Sequence, residues 1–485
     1  MSKVEESGLA GVPVGTRGGA REGARRGGPI RRVRVGLLGA GRVGSAVAVQ
    51  ARRRAGDLEA VGLAVDVVAA LVRDRARPRG VDLPVDALVE DADAVFAAAP
   101  DVLVEVLGGE EPARTIVASA IARGIPVVTA NKTLVARHGA ALSAAAARAR
   151  TALHWEASVI AGVPFIGALR RRPLLARARR IAGILNGTSH FVLGEMARGA
   201  TIEAALARAV ERGYAEPDAS GDLSGRDAAE KLAILLRLAG QPAGGPEDLP
   251  VLGLEPIAPR DLTAAARLGG VIKPVAVAGG LRAVSQAPSG FEAIGRADDA
   301  AGDDGAGRRA GDDAAAAPPD DTGAGTAWVG PAFVVAGHPF ARLDGVRNAL
   351  ALTGVDGEVV SFSGPGAGPE VTAATILDDV AEVVRSPVSG WGGRPESIDP
   401  SPVPGARRPP RGRWFVHVEG AGRALDVLAF LAARGIPSTR FEPTPAGGAT
   451  LTWPVGWDEI REGSAALRLA GARVVALPVI EEAWA

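Results

Sequence analysis

Asp227 and Lys231 stand four positions apart in the run GYAEPDASGDLSGRDAAEKLAIL, which spans residues 213–235. From Asp227 onward Ala228, Leu232, Leu235 and Leu236 keep a helical apolar spacing. The acid and the amine therefore share one helix face. The Gly, Pro, Asp and Ser residues before them form a loop that begins Gly213-Tyr214 and brings Glu216 and Asp222 toward that face. A small polar substrate would meet two carboxylates, an aspartate and an ammonium together. An exposed Asp–Lys pair at this spacing stabilises a helix by only about 0.3–0.5 kcal/mol, so the pair alone says little. Composition says more. Of 55 Lys plus Arg, only Lys3, Lys132, Lys231 and Lys273 are lysine. Arginine serves wherever a solvated positive charge suffices. A retained lysine marks a place where a compact ammonium, able to give up its proton, is needed. The same scarcity singles out Tyr214, the only tyrosine, and Asn131, Asn186 and Asn348, the only asparagines.

These side chains need a scaffold that 485 residues can supply as two to four domains. The formal net charge is zero and no basic stripe carries interleaved aromatics, which argues against nucleic acid. No stretch reaches membrane-spanning length in apolar residues. Cysteine is absent, which removes disulfides, thiolate nucleophiles and Cys-ligated zinc. Residues 1–31 are rich in Gly and Arg, lack an apolar signal region and read as a disordered tail, so the chain is expected in the cytoplasm.

The first scaffold element is an apolar strand, Val33 to Leu38, followed by Gly39-Ala40-Gly41-Arg42-Val43-Gly44 and a helix. Gly39 allows a tight turn, Gly41 lets backbone approach a pyrophosphate, and Gly44 lets the helix pack on the strand. The anion would sit at the helix N-terminus. The second strand, Val65 to Val72, ends in Arg73-Asp74; Arg73 suits a 2′-phosphate and points to NADP, with NAD the alternative. Asp57, at the usual ribose spacing, lies in an apparent turn, Arg-Ala-Gly-Asp. Further βα units follow: strand 102–106, a turn at Gly108-Gly109, helix 113–123, and strand 125–129. Thr129, Asn131 and Lys132 then fall at the sheet edge where such folds bind ligands, which places Lys132 beside the nicotinamide. Helix 133–150 closes this part. Past it, Glu156 with nearby carbonyls could hold a hard cation such as Na⁺. Asn186-Gly187-Thr188-Ser189-His190 forms a polar turn ahead of a helix, with His190 read as structural. Leu262-Thr263-Ala264 reads as a helix start, and Lys273, entering a strand, as a structural ion pair.

The runs GLLGAGRVG, VLVEVLGGEEPA, VVTANKTLVARHG, WEASVIAGVPFI, ILNGTSHFVL, GYAEPDASGDLSGRDAAEKLAIL and FSGPGAGPEVTAATILDDV together resemble the homoserine dehydrogenase family, over roughly 32–285 and 328–385. The resemblance implies NAD(P)H-dependent reduction of L-aspartate 4-semialdehyde to L-homoserine, on the way to threonine, methionine and isoleucine. It implies that Lys132 and Lys231 are the active-site lysines and Asp227 the acid beside them. Glu216 and Asp222, with Gly213 and Tyr214, would hold the substrate. Gly39 to Gly44, Arg73, Gly108, Thr129, Lys132 and Gly368 would line the cofactor. Glu156, Val159, Ala161 and Val163 would bind Na⁺. The loop Ala219-Ser220-Gly221 departs from the family's more usual Pro and acidic residues.

The expected architecture is α/β: a Rossmann-type nucleotide-binding domain (32–150 plus 335–385), an α+β substrate and dimerisation domain (151–334), and a C-terminal βαββαβ ACT-like domain (413–485). Residues 286–326, of Asp, Ala, Gly and Pro, read as a disordered insert, and 386–412 as a linker. In this family an ACT-like tail often binds threonine for feedback inhibition, although the first loop here, Val418 to Gly422, is short. A homodimer or homotetramer is implied. Two rivals remain: another NADP-dependent amino-acid reductase, and a non-catalytic dinucleotide-binding sensor of amino acids. Aspartate-semialdehyde dehydrogenase needs a cysteine nucleophile and is excluded.

Overall fold

The computed structural model describes residues 30–77, 87–171, 178–239, 245–279, 326–354, 356–385, 412–420 and 424–481. The expected tail, the 286–326 insert and the 386–412 linker lie outside these residues, except at 30, 31, 326 and 412.

The chain starts as alternating strands and helices: β1 (Arg31–Leu38), α1 (Arg42–Arg53), α2 (Ala55–Ala60), β2 (Leu63–Leu71), β3 (Leu88–Val89), α3 (Ala92–Ala97), β4 (Val102–Glu105), α4 (Ala113–Ala122), β5 (Val127–Thr129), α5 (Lys132–Arg148) and β6 (Leu153–His154). The strands pair in parallel in the order β3-β2-β1-β4-β5-β6. This is the doubly wound order of a dinucleotide-binding domain, with its crevice between β1 and β4. Alternation places Val33, Val35 and Leu37 in one core layer and Leu38 in the other, all at most 1% exposed. Both faces are thus buried, as a parallel sheet requires. Asp57 is not in a turn. It lies in the first turn of α2 and pairs with Arg54, the residue that ends α1, so a one-residue break is enough to separate the helices.

The middle of the chain supplies α6 (Ile166–Arg171), β7 (Arg180–Ile184), α7 (Gly187–Ala197), α8 (Ile202–Glu211), α9 (Ser220–Leu223), α10 (Arg226–Leu238), α11 (Pro259–Arg267), β8 (Gly270–Gly279), β9 (Thr326–Val335), β10 (Arg347–Thr353), β11 (Val359–Pro365) and α12 (Pro369–Arg385). Helix α11 starts at Pro259, ahead of the expected Leu262, because Pro fits the first helical turn and the Asp261 side chain accepts the Ala258 N–H. Segment 335–385 is divided between the two layers. Strand β10 pairs with β7 and β11 with β10 in a mixed sheet, and only α12 returns to pack on α1. In α12, Ala373, Ile376, Leu377, Val380, Val383 and Val384 form one apolar stripe against the parallel sheet. Strand β6 also extends the parallel sheet past residue 150.

The C-terminal part runs β12 (Trp414–Glu419), α13 (Ala424–Ala432), β13 (Ser438–Thr444), β14 (Gly447–Thr452), α14 (Trp457–Leu469) and β15 (Arg473–Ile480), in βαββαβ order. Its sheet does not stand apart. Val479 and Ile480 of β15 pair in parallel with Phe333 and Val334 of β9, so one nine-stranded sheet runs β11-β10-β7-β8-β9-β15-β12-β14-β13. Phe415 stacks on Phe333 with ring centroids 5.5 Å apart. Beside them Asp261, fully buried, accepts hydrogen bonds from Arg473 and pairs with His417 Nδ1 at 2.6 Å. Among the described residues no helix is long and apolar enough to cross a membrane.

Candidate active site

Two helices carry the acid–amine cluster. Gly225 precedes α10 at φ +85°, a turn that a side chain would resist both by conformation and by meeting Val251 at 2.8 Å. Asp227 then falls in the first turn and Lys231 one turn on. Lys231 Nζ donates to Asp227 Oδ2 at 2.7 Å and to Leu185 O at 2.8 Å, and the residue is only 8% exposed. The second amine comes from the parallel sheet. Strand β5 ends at Thr129, Asn131 caps α5 by accepting the Leu134 N–H, and Lys132 opens the helix. Its Nζ lies 3.2 Å from Asp227 Oδ1. Thr133 donates to Glu230 at 2.9 Å, which pins α5 to α10.

Asn186 completes the cluster. Its amide nitrogen donates to Asp222 Oδ1 at 2.7 Å and Asp227 Oδ2 at 2.8 Å, while its oxygen caps α7 by accepting the Ser189 N–H. One neutral side chain therefore holds two carboxylates side by side. Burial opposes ionisation of Asp227, but Lys231, then Lys132 and the Asn186 hydrogen bond outweigh it, and its carboxyl titrates well below the usual range. Asp222 is shifted up, by burial first and then by the charge of Asp227. Asp227 pushes Lys132 above the ordinary lysine value, against desolvation, with help from Glu230 and Asp222.

The remaining candidates are distributed less tightly. Glu216 is exposed on the loop after α8, as is Gly213 at φ +72°. Tyr214 is 43% exposed, edge-on to Phe191, and its carbonyl accepts from Thr188. Thr129 is fully buried: its hydroxyl donates to Glu105 at 2.5 Å and accepts the Asn131 N–H. Its side chain supports the Lys132 turn from beneath rather than facing a cleft. Glu105, also fully buried, is pushed up in pKa by desolvation that its hydrogen bonds only partly offset. Lys273 is less an ion pair than a buried amine held by the Leu343 carbonyl at 2.5 Å and by His190 Nε2 at 3.1 Å; Asp344, at 4.0 Å, is largely exposed. His190 Nδ1 lies 3.0 Å from Arg347 O, and its Nε2 lies 3.0 Å from Leu343 O as well as 3.1 Å from Lys273 Nζ.

The glycine turn fits a dinucleotide. At Gly39, φ +101°, an added Cβ would meet Val106 O at 3.1 Å; at Gly44 it would meet Gly39 O at 2.0 Å. At Gly41 it would meet nothing within 4 Å, and no side chain caps α1 there. The open position is thus the one that a pyrophosphate needs, with Ala40, Arg42 and Val43 around it. Gly108 (φ +74°) and Gly368 (φ +125°) likewise have open space around them. Arg73 is exposed just past β2, and the Asp74 side chain turns back to accept the Ala76 N–H.

At the expected cation position, Glu156 accepts the N–H groups of Ile166 and Gly167 at 2.8 and 2.6 Å. Ala161 O accepts from Thr375 at 2.5 Å and Val163 O from Phe165 N at 2.9 Å, while Val159 is fully buried. Carboxylate and carbonyl oxygens are the ligand type that a hard cation takes. Nearby, His154, Asp379 and Glu382 bring one ligand atom each within 4.8 Å of one another.

A family model described as homoserine dehydrogenase matches residues 164–381, and one described as homoserine dehydrogenase, NAD binding domain, matches 39–156. The homoserine dehydrogenase of Synechocystis sp. is 34% identical over 355 residues, 73% of each chain. That of Corynebacterium glutamicum is 33% identical over 373 residues, 75% of this chain and 74% of its own. The crystal structure of a homoserine dehydrogenase from Thiobacillus denitrificans superposes with a TM-score of 0.72 at 28% identity, covering 93% of this chain and 99% of that one. A hyperthermophilic archaeal homoserine dehydrogenase in complex with NADPH shares the fold at a TM-score of 0.55 and 23% identity, over 73% of this chain and 98% of that one.

Proposed function

The chain belongs to the homoserine dehydrogenase family, NAD(P)-dependent oxidoreductases acting on a CH–OH group, and on that premise we propose how its residues divide the work. The substrate is L-aspartate 4-semialdehyde and the product L-homoserine. A bound nicotinamide dinucleotide supplies the hydride that reaches the aldehyde carbon. As it does so, negative charge develops on the carbonyl oxygen, and a fixed ammonium at that place stabilises it and gives it a proton. Lys231 is the donor: two of its three N–H bonds are taken by Asp227 and Leu185, which leaves one directed donor. Lys132, with 38% of its side chain exposed, polarises the aldehyde and contacts the cofactor. Asp227 orients both amines and keeps Lys132 charged before reaction. Asp222 and Glu216 hold the polar ends of the substrate.

The observation that carries this reading is the convergence of Lys132 and Lys231 on one buried carboxylate. The test is consumption of NADPH by the full chain in the presence of aspartate 4-semialdehyde, with homoserine identified as product. Absence of turnover removes the reading.

Finer parts of the proposal have their own supports. Arg73, free of the Asp74 turn, favours NADP over NAD; the archaeal relative solved with NADPH supports the same cofactor class. The Glu156, Val159, Ala161 and Val163 set takes Na⁺, checked by activity after exchange into sodium-free buffer. The βαββαβ tail is ACT-like, its strand order β15-β12-β14-β13 being the support, and binds threonine; rates unchanged at high threonine reject this. The enzyme is placed in the cytoplasm as a homodimer or homotetramer, checked by light scattering. The nucleotide unit is β1 to β6 with α12, and the substrate unit is the mixed sheet with its helices.

A further inference from the structure

Asn348 is the third of the chain's three asparagines, and the other two are buried caps whose amides are engaged at the active site. Asn348 is 1% exposed, yet neither its Oδ1 nor its Nδ2 has a hydrogen-bond partner among the described residues. Its place in the fold is specific. It lies in β10 opposite Gly364 of β11. A Cβ added at Gly366 would fall 2.2 Å from its amide carbon, and one added at Gly187 would fall 3.4 Å from its Oδ1. Gly187 opens α7, directly after the Asn186 that holds Asp222 and Asp227. Gly366 precedes Gly368, the expected cofactor contact. The amide is therefore wedged between the start of the substrate-side helix and the turn that approaches the dinucleotide.

A buried amide without partners carries the full desolvation penalty of both its groups, whereas an apolar side chain of similar volume would carry none. A second state in which the groups are satisfied would account for keeping an amide at this place. The two glycines are the neighbours able to provide it, since without a Cβ their backbones can close to hydrogen-bond distance. The other side of Asn348 is held by the β10–β11 and β10–β7 ladders. One donor and one acceptor on the same amide can take a carbonyl and an N–H together.

We propose that Asn348 is a positioning residue: on dinucleotide binding its amide joins the backbone of the 366–368 turn to the start of α7, so that cofactor binding sets the Asn186–Asp227–Lys231 cluster in place. This rests on the functional reading above. The test replaces Asn348 with Leu in the full chain and measures NADPH affinity without substrate, thermal midpoint without ligand, and kcat and KM. The expected result is a midpoint equal to or above that of the parent chain, with NADPH affinity weakened about tenfold and kcat reduced. Unchanged NADPH affinity and kcat would mean that the amide serves only a buried water, and would overturn the inference. If Asn348→Leu does not fold, hydrogen exchange on the parent chain decides. NADPH alone should protect amides at both 187–189 and 366–368, and no change at 187–189 overturns it. A parent chain that does not bind NADPH takes down the functional reading as well, which separates the two failures.

Discussion

Lys132 and Lys231, carried by different layers of the molecule, meet on the two oxygens of a single side chain, at 3.2 and 2.7 Å from Asp227. The parallel sheet delivers the first through β5 and the second sits on α10, so the cluster forms only when the two parts are docked. Sharing one carboxylate keeps two ammonium groups close without leaving either unpaired, which desolvation would otherwise make costly. It also leaves each amine with donors to spare for a substrate oxygen.

Replacing Lys231 with Arg should retain charge and fold but lose activity. The pocket offers Lys231 Nζ two acceptors at 2.7 and 2.8 Å, a geometry for a point donor rather than a planar fork. A guanidinium also does not release its proton in this range. The expected loss in kcat is about a hundredfold or more, with NADPH affinity kept. Steady-state kinetics beside a cofactor titration checks it, and near-normal turnover would remove Lys231 from the donor role.

Acid should weaken the fold as its buried histidines are forced to take a proton. Burial pushes His190 down from 6.5 to about 4, and the Lys273 ammonium adds to the shift. His338 is shifted down to about 4 by burial alone. A histidine that stays neutral when folded but takes a proton when unfolded contributes its stability in full above the unfolded value. That stability is lost as pH falls from about 6.5 toward 4, at a cost of about 3 kcal/mol for His190. Urea midpoints measured down this range should fall, and His190→Gln should flatten the fall. An unchanged slope in the variant would show that His190 is not the titrating group.

The C-terminal part should come loose when Asp261 is neutralised. Its carboxyl is fully buried and held below the usual range, since hydrogen bonds from Arg473 and His417 outweigh the burial that opposes them. Removing one partner of such a buried charge group costs about 3–5 kcal/mol. Asp261→Asn should expose the β12–β15 unit to limited proteolysis, ahead of unfolding of the nucleotide domain. Equal protease resistance in the two proteins would show that the β9–β15 pairing and the Phe333–Phe415 contact hold the junction without the Asp261 charge.

Much of this site could be read before any coordinates. Scarcity of lysine marked Lys132 and Lys231, helical spacing put Asp227 and Lys231 on one face, and the glycines of the first turn are tightly surrounded at Gly39 and Gly44 and open at Gly41. What escaped was the part made by tertiary contact. Asn186 bridges Asp222 and Asp227 across elements far apart in the chain; its rarity was a signal, but no spacing rule assigns it a partner. Glu105 looks like an ordinary strand end until the buried hydrogen bond that it accepts from Thr129 is seen. The division of 335–385 and the β9–β15 junction were also illegible, because strand pairing between distant segments leaves no local pattern. Asp57 misled for the opposite reason: Arg-Ala-Gly-Asp has turn composition, yet it continues as a helix after one residue.

The most direct test is NADPH consumption with aspartate 4-semialdehyde by the parent chain and by Asp227→Asn. Asparagine keeps the shape and removes the charge that both lysines share. The account predicts steady turnover by the parent chain, and a kcat about a hundredfold lower or less in the variant with NADPH binding intact. Equal turnover in the two proteins would contradict it.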